Sequence, residues 1–401
     1  MKITSRWFVG GTIVVAVLLI LFALFGFPYF FKPPPVQNES ATLGSQLTLA
    51  RVSRILKQGQ VVLNDRSQLY QIMEVKPLEG NYQGIPFQID YGLRELRTDN
   101  FQFRPGDEVY ILIDKTPANA LQAYYVDYVR SQPLLILLLT FVLSMLVMGH
   151  WKGLGSLLAL AASMIVIIWY VLPHILAGED PVKVSLIGSI ILVVVTLYLT
   201  YGWNLKTHAS VASIILSLLL TGALSLLFVY LTRLNGYGDE NVTYLMQSSS
   251  IRVDAHGLLL GGMIIGSLGV LDDLVTSQSA AVVEIYEANP ALGFWQILQR
   301  AMHIGEDHVA ATVNTLVLAY TGASLPLLLM FTLGNGSYSY LVNSEFMAEE
   351  IVRTLVGSLG LIAAVPISTL IATSLILYRG KFSGSHFLPG SETGSQAGRV
   401  Q

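Results

Sequence analysis

Eight stretches of this chain are apolar over lengths that match, or nearly match, the hydrocarbon core of a bilayer. They run Trp7 to Phe31, Pro133 to Gly149, Gly153 to Leu176, Pro181 to Tyr201, Thr207 to Leu231, Ala255 to Ile285, Val309 to Leu333 and Arg353 to Tyr378. A helix needs about 20 such residues to cross roughly 30 Å of lipid, and no soluble core could bury so many. Of the 401 residues 53% are hydrophobic and 12% charged, half the charged share usual in soluble domains. The expected fold is therefore a mainly α-helical membrane bundle of about eight transmembrane helices.

The chain breaks this pattern once. From Gln46 to Arg130 the composition is that of a soluble domain, with alternating runs at Gln68–Val75 and Glu108–Ile113 that read as half-buried strands. Phe103-Arg104-Pro105-Gly106-Asp107-Glu108 has the Pro and Gly of a tight turn into a strand. About five such strands suggest a small β-barrel-like domain, of OB-like form, between helices 1 and 2.

The resulting organisation is a transmembrane signal anchor over 1–32, a Pro-rich linker over 33–45, the β domain over 46–130, a seven-helix membrane domain over 131–380 and a disordered Gly/Ser-rich tail over 381–401. Trp7–Phe31 is longer than a signal-peptide core and lacks a small-residue exit, so an uncleaved anchor is expected. Pro33, Pro34 and Pro35 make a stiff spacer.

Orientation follows from basic residues in the short loops. With the N-terminus cytoplasmic, the inner set is Lys2, Arg6, Lys152, Lys206, Arg300, Arg379, Lys381 and Arg399. The outer set is Lys183, Arg233, Arg252 and Arg353. This places both termini in the cytoplasm and the β domain on the extracytoplasmic side of the membrane.

Charge excludes some functions. Lys and Arg total 23 against 26 Asp and Glu, and the segment from Lys32 to Arg130 carries 11 of each sign, so nothing gathers nucleic acid. There is no cysteine, hence no disulfide framework, thiolate metal site or cysteine nucleophile. No triad, phosphate-cradling loop or zinc signature occurs, and no cofactor is implied.

Chemistry concentrates in the sixth and seventh runs. Gly257 and Gly261, then Gly262 and Gly266, stand four apart, and Gly269 follows; such stripes serve close helix packing. Then Asp272 and Asp273 enter an otherwise apolar sequence, with Ser277 and Gln278 behind them and Glu284 further along. Intramembrane carboxylates are costly and usually face a cavity, a cation or a proton path. As one helix, Gly257 to Glu287 would run to about 46 Å, so the pair lies either in a functional site or at a solvated helix end. The seventh run contributes Asn314 and Thr321, seven apart on one face, and Pro326, which invites a kink.

Between them Gly293–Met302 reads as an amphipathic helix on the cytoplasmic surface. His303, Glu306 and Asp307 beyond it share a face that can hold a divalent ion, but interfacial polar termination is the stronger expectation and no metal is assigned. His150, His174, His208 and His256 mark span boundaries.

The Gly-rich run ending in Leu271-Asp272-Asp273, the following Ser277-Gln278, and Asn314-Thr315-Leu316 with Leu318-Ala319-Tyr320-Thr321-Gly322-Ala323-Ser324-Leu325-Pro326 together resemble the YibE/F family of bacterial multi-spanning membrane proteins. The resemblance implies an anchor, a small β domain and about seven spans, with a permease-like or efflux-like role and no agreed substrate.

Three functions compete. In a transporter, Asp272, Asp273, Ser277, Gln278, Glu284, Asn314 and Thr321 form a proton- or cation-coupled path between helices 6 and 7. In an assembly or sensory protein, the β domain binds a membrane or extracytoplasmic partner and the glycine face joins copies of the chain. A membrane enzyme using the two Asp as acid and base is disfavoured, because adjacent residues project about 100° apart.

Overall fold

The computed structural model describes residues 46–96, 101–115, 120–248, 253–333 and 338–383. The predicted first span, the Pro-rich spacer and the tail from residue 384 lie outside them. The chain divides into two compact units, Met1–Leu146 and Val147–Gln401.

In the first unit, β1 (Gln46–Leu63), β2 (Arg66–Pro77), β3 (Phe87–Tyr91), β4 (Glu108–Lys115) and β5 (Leu121–Tyr128) form one antiparallel sheet in the order β3-β2-β1-β4-β5. The long β1 serves two partners, pairing with β4 over Gln46–Arg51 and with β2 over Ala50–Leu63, and irregularities after Val52 and Ile55 bend it between them. Asn64 and Asp65, both at positive φ, close the β1–β2 hairpin as two-residue turns of mirror-image type require. The curved sheet is a half-barrel around Val52, Met73, Ile89, Tyr91, Phe103, Ile111 and Ala123. Gln71 is buried at its centre, accepting from the Phe103 N–H at 2.7 Å and donating to the Phe103 carbonyl at 3.1 Å, which ties the loop before β4 to the sheet. The predicted turn forms at Gly106, with Asp107 accepting from the Arg104 N–H.

Helices follow: α1 (Ser131–Leu176), α2 (Pro181–Tyr201), α3 (Leu205–Thr232), α4 (Glu240–Ser248), α5 (Ala255–Ala288), α6 (Phe294–Ala323), α7 (Leu325–Leu333), α8 (Tyr338–Asn343) and α9 (Glu345–Ser383). Five of them, α1, α2, α3, α5 and α9, are long and apolar enough to cross a bilayer. In α1 the backbone leaves the helical region at His150 (φ 47°), between the second and third predicted spans.

Two expectations change. The amphipathic stretch after Gly293 and most of the seventh run are one continuous helix, α6, whose first half carries Arg300, His303, Glu306 and Asp307; this polarity removes it from the strictly apolar set. It stops at Ala323, before Pro326 and the short α7, instead of running to Leu333. The last helix begins at Glu345, eight residues before Arg353, so three acidic residues join its first two turns.

In the second unit α2, α5 and α9 run parallel, with α3 and α6 antiparallel to them. Pro181 and Ser185 of α2 lie against Gly257 and Gly261 of α5. Ala209 of α3 meets Val282 and Ala372 at one end of the bundle, and Val229 meets Leu260 and Val356 at the other. Between these ends Leu192, Ile214, Leu271, Leu274, Leu316 and Val365 form the main core.

Candidate functional site

The glycines anticipated as packing positions divide in two. A Cβ on Gly257 would come within 2.6 Å of Asp254 Oδ2 and 3.0 Å of Pro181 Cδ, and one on Gly261 would meet the Ser185 hydroxyl, so only glycine lets α5 approach α2 here. Gly262 and Gly269 face open space, and Gly266 has only the Tyr320 hydroxyl at 3.5 Å.

The polar residues of α5 also part company. Asp273 and Glu284 are exposed on the bundle surface, as are Asn314 and Thr321 of α6. Asp272 is partly buried, accepts a long 3.4 Å contact from Thr276 Oγ1, and with Asp273 lies within electrostatic reach of Tyr201 at the end of α2. Ser277 donates to the Asp273 carbonyl at 2.8 Å. Of these anticipated site residues Gln278 alone is fully buried. Its amide donates to the Ala301 carbonyl at 2.7 Å and to Thr369 Oγ1 at 2.8 Å, tying α5 to α6 and α9. Gly305 makes room for this contact, since a Cβ there would stand 3.0 Å from the Gln278 amide and overlap Val365. Among the described residues no hydrogen bond or ion pair joins Asp272, Asp273, Glu284, Asn314 and Thr321 to one another.

A different polar feature occupies the interior. Thr207, Ser210, Ser213, Ser217, Thr221 and Ser225 recur every three or four residues on α3, and all are buried. They face α5 and α9, which add Ser267, Gln278, Ser279, Ser358, Ser368, Thr369 and Thr373. From Thr207 to Ser225 this seam covers about 27 Å, close to the hydrocarbon thickness. Ser213, Thr221 and Ser225 donate to the carbonyl one turn back, as intrahelical hydroxyls commonly do. The hydroxyls of Ser189, Thr207, Ser210, Ser217, Ser279 and Thr373 and the Gln278 carbonyl oxygen are buried without a protein partner. A buried polar group left unpaired costs about 1–3 kcal/mol, so a row of them needs a further explanation.

Near the α2-start end, the seam opens on a narrow cleft where α3, α5, α6 and α9 converge. Thr221, Ser225, Ser267, Tyr320 and Arg353 line it. Arg353 is held by Glu350 at 2.7 Å, both largely shielded from solvent. Beside it Glu349 is buried and accepts from the Gly238 N–H at 3.0 Å, while Glu345 accepts from the Asn235 N–H at 2.7 Å, so the start of α9 pins the loop after α3.

The α3 hydroxyls and Arg353, a span-border residue by sequence, lie outside the carboxylate-centred set that the sequence suggests. The three- and four-residue spacing of Ser and Thr in an apolar run was the available signal. His303 and Glu306 approach to 3.6 Å on the exposed face of α6. Among the described residues no three His, Cys, Asp or Glu gather as metal ligands do.

Apolar helices of spanning length around a buried hydroxyl seam define a multi-spanning membrane protein. Residues 137–377 match the YibE/F-like protein family, and the chain belongs to it. No curated protein and no solved structure matches the chain.

Proposed function

We propose that the protein is a permease or efflux-type transporter of the bacterial inner membrane, with its path along the hydroxyl seam between α3, α5 and α9. The supporting observation is that buried hydroxyls recur along α3 over nearly a bilayer thickness, and that those of Thr207, Ser210 and Ser217 have no protein partner. Such groups are inexpensive where water or a passing polar solute pairs with them. In this reading Asp272 of α5, within electrostatic reach of Tyr201 at the end of α2, is the carboxylate that couples the path to protons or cations. Asp273, Ser277, Gln278, Glu284, Asn314 and Thr321 belong to the same proposal as groups flanking or stabilising it. In this reading the termini are cytoplasmic and the β domain, a partly open barrel of OB type, is extracytoplasmic.

The absence of cysteine makes the test direct. Single cysteines at Ser210, Ser217, Thr221 and Ser225 in the full chain, in native membranes, are exposed to a water-soluble methanethiosulfonate. The expected result is reaction at these positions and none at Leu216 or Leu219, which face outward from the bundle. If the seam cysteines are as inert as those at Leu216 and Leu219, the hydroxyls serve helix packing and the path is withdrawn.

One observation favours the assembly reading. On the outer face of the sheet Tyr110, Tyr124 and Val126 are exposed together along β4 and β5, the kind of strip a protein partner covers. Deleting 46–130 would abolish function in that reading and spare seam reactivity.

A further inference from the structure

Where α2 ends and α3 begins, an open pocket is lined by Trp151, Lys152, Tyr201, Gly202, Asn204 and Lys206. We propose that it binds the phosphate headgroup of an anionic phospholipid, a site independent of the transport reading.

Its walls are fixed by the fold. Gly155 brings the helix after His150 against the end of α2, since a Cβ there would stand 2.9 Å from the Leu199 carbonyl. This sets Trp151 and Lys152 beside Tyr201. Opposite them, Gly202 turns the chain at φ 74°, its N–H donating to the Tyr198 carbonyl. Asn204 then clamps the turn, donating to the Tyr201 carbonyl at 2.8 Å and accepting from the Thr207 N–H at 2.9 Å. Lys206 lies over the Tyr201 ring, 5.4 Å from its centre.

The pocket therefore holds two ammonium groups close enough to repel each other. Among the described residues no carboxylate is within 4.0 Å of either; Glu284 acts on Lys206, and Asp272 and Asp273 on Tyr201, from further away. An anion between the lysines relieves that repulsion, and a phosphate diester offers oxygens to both.

The surroundings select lipid over free phosphate. Trp203, stacked on Tyr198 at 4.4 Å, is 80% exposed, and Trp151 and Tyr201 are also exposed, as in the aromatic belts at membrane surfaces. Leu158 and Leu199, on the same two helices, are exposed where acyl chains would lie. Basic pockets between membrane helices at this level are a recurrent way to hold anionic headgroups.

The test is native mass spectrometry of the full chain purified in detergent and titrated with phosphatidylglycerol, phosphatidylcholine or inorganic phosphate. Phosphatidylglycerol is expected to be retained selectively. Its affinity should fall roughly thirtyfold in Lys152→Gln/Lys206→Gln, from two lost lysine contacts, and return in Lys152→Arg/Lys206→Arg. The arginine pair also separates loss of charge from misfolding. Equal retention in the glutamine pair overturns the proposal. So does competition by inorganic phosphate at concentrations equal to those of the lipid, which would make this a free-phosphate site.

Discussion

Gln278 carries more structural weight than either neighbouring carboxylate. Gln278→Leu keeps volume but removes both donated hydrogen bonds, and should lower stability in detergent by about 1 kcal/mol. Gln278→Glu should cost more, because an ionised carboxylate would face the Ala301 carbonyl instead of donating to it. Thermal unfolding of the two variants side by side checks the order; a Glu variant as stable as the Leu variant would contradict it. Gly305 gives a second test of the same junction. Gly305→Ala should destabilise by about 1–3 kcal/mol through overlap with Val365, and Val365→Ala should recover much of that in a double-mutant cycle.

At the scale of elements, α3 separates packing from path. Ser210→Ala and Ser217→Ala lose no protein hydrogen bond and relieve an unpaired hydroxyl, so their thermal midpoints should match or exceed the parent. Ser217→Leu should lower stability by about 1–3 kcal/mol, since Ser217 is fully buried and the larger side chain overpacks the closed seam. A marked loss in the alanine variants would mean that the hydroxyls bond to protein groups, and would weaken the path. The start of α9 makes a separate prediction. Glu349→Ala frees the Gly238 N–H, so hydrogen exchange should accelerate over residues 235–239 and stay unchanged in the β domain.

Much of this architecture was legible in the sequence, and the remainder was hidden for definable reasons. The strand pattern at Gln68–Val75 and the turn at Gly106 were readable because alternation and turn chemistry are local. Whether Gly262 and Gly269 are packed depends on which neighbours arrive, and spacing does not carry that. The union of Gly293–Met302 with the following run escaped because the polar patch His303–His308 resembles a border by composition, yet interrupts no backbone hydrogen bond. The α3 seam escaped because each Ser or Thr is individually unremarkable in an apolar helix. It becomes a feature only when all prove buried on one face.

At the scale of the whole molecule, helix directions turn the loop charges into a test of topology. Because α2, α5 and α9 run together and α3 and α6 run against them, the turns at Gly202–Asn204 and Asn289–Gly293 share one end of the bundle. The loop after Thr232 and the start of α9 share the other. The first end carries Lys152, Lys206 and Arg300 and is expected to be cytoplasmic. Trp203 and Tyr237 are both exposed, one at each end, and suit labelling. In intact cells, Tyr237→Cys should react with a membrane-impermeant maleimide at once, and Trp203→Cys only after the membrane is opened. The reverse pattern would invert the protein, put the lysine pocket on the outer leaflet, and move Arg353 and the cleft it lines to the cytoplasmic side. Labelling of both from outside would require a turn to leave its end of the bundle, which the Asn204 clamp and the Glu349 contact to Gly238 oppose. The assay thus examines the charge rule and the packed helix directions independently.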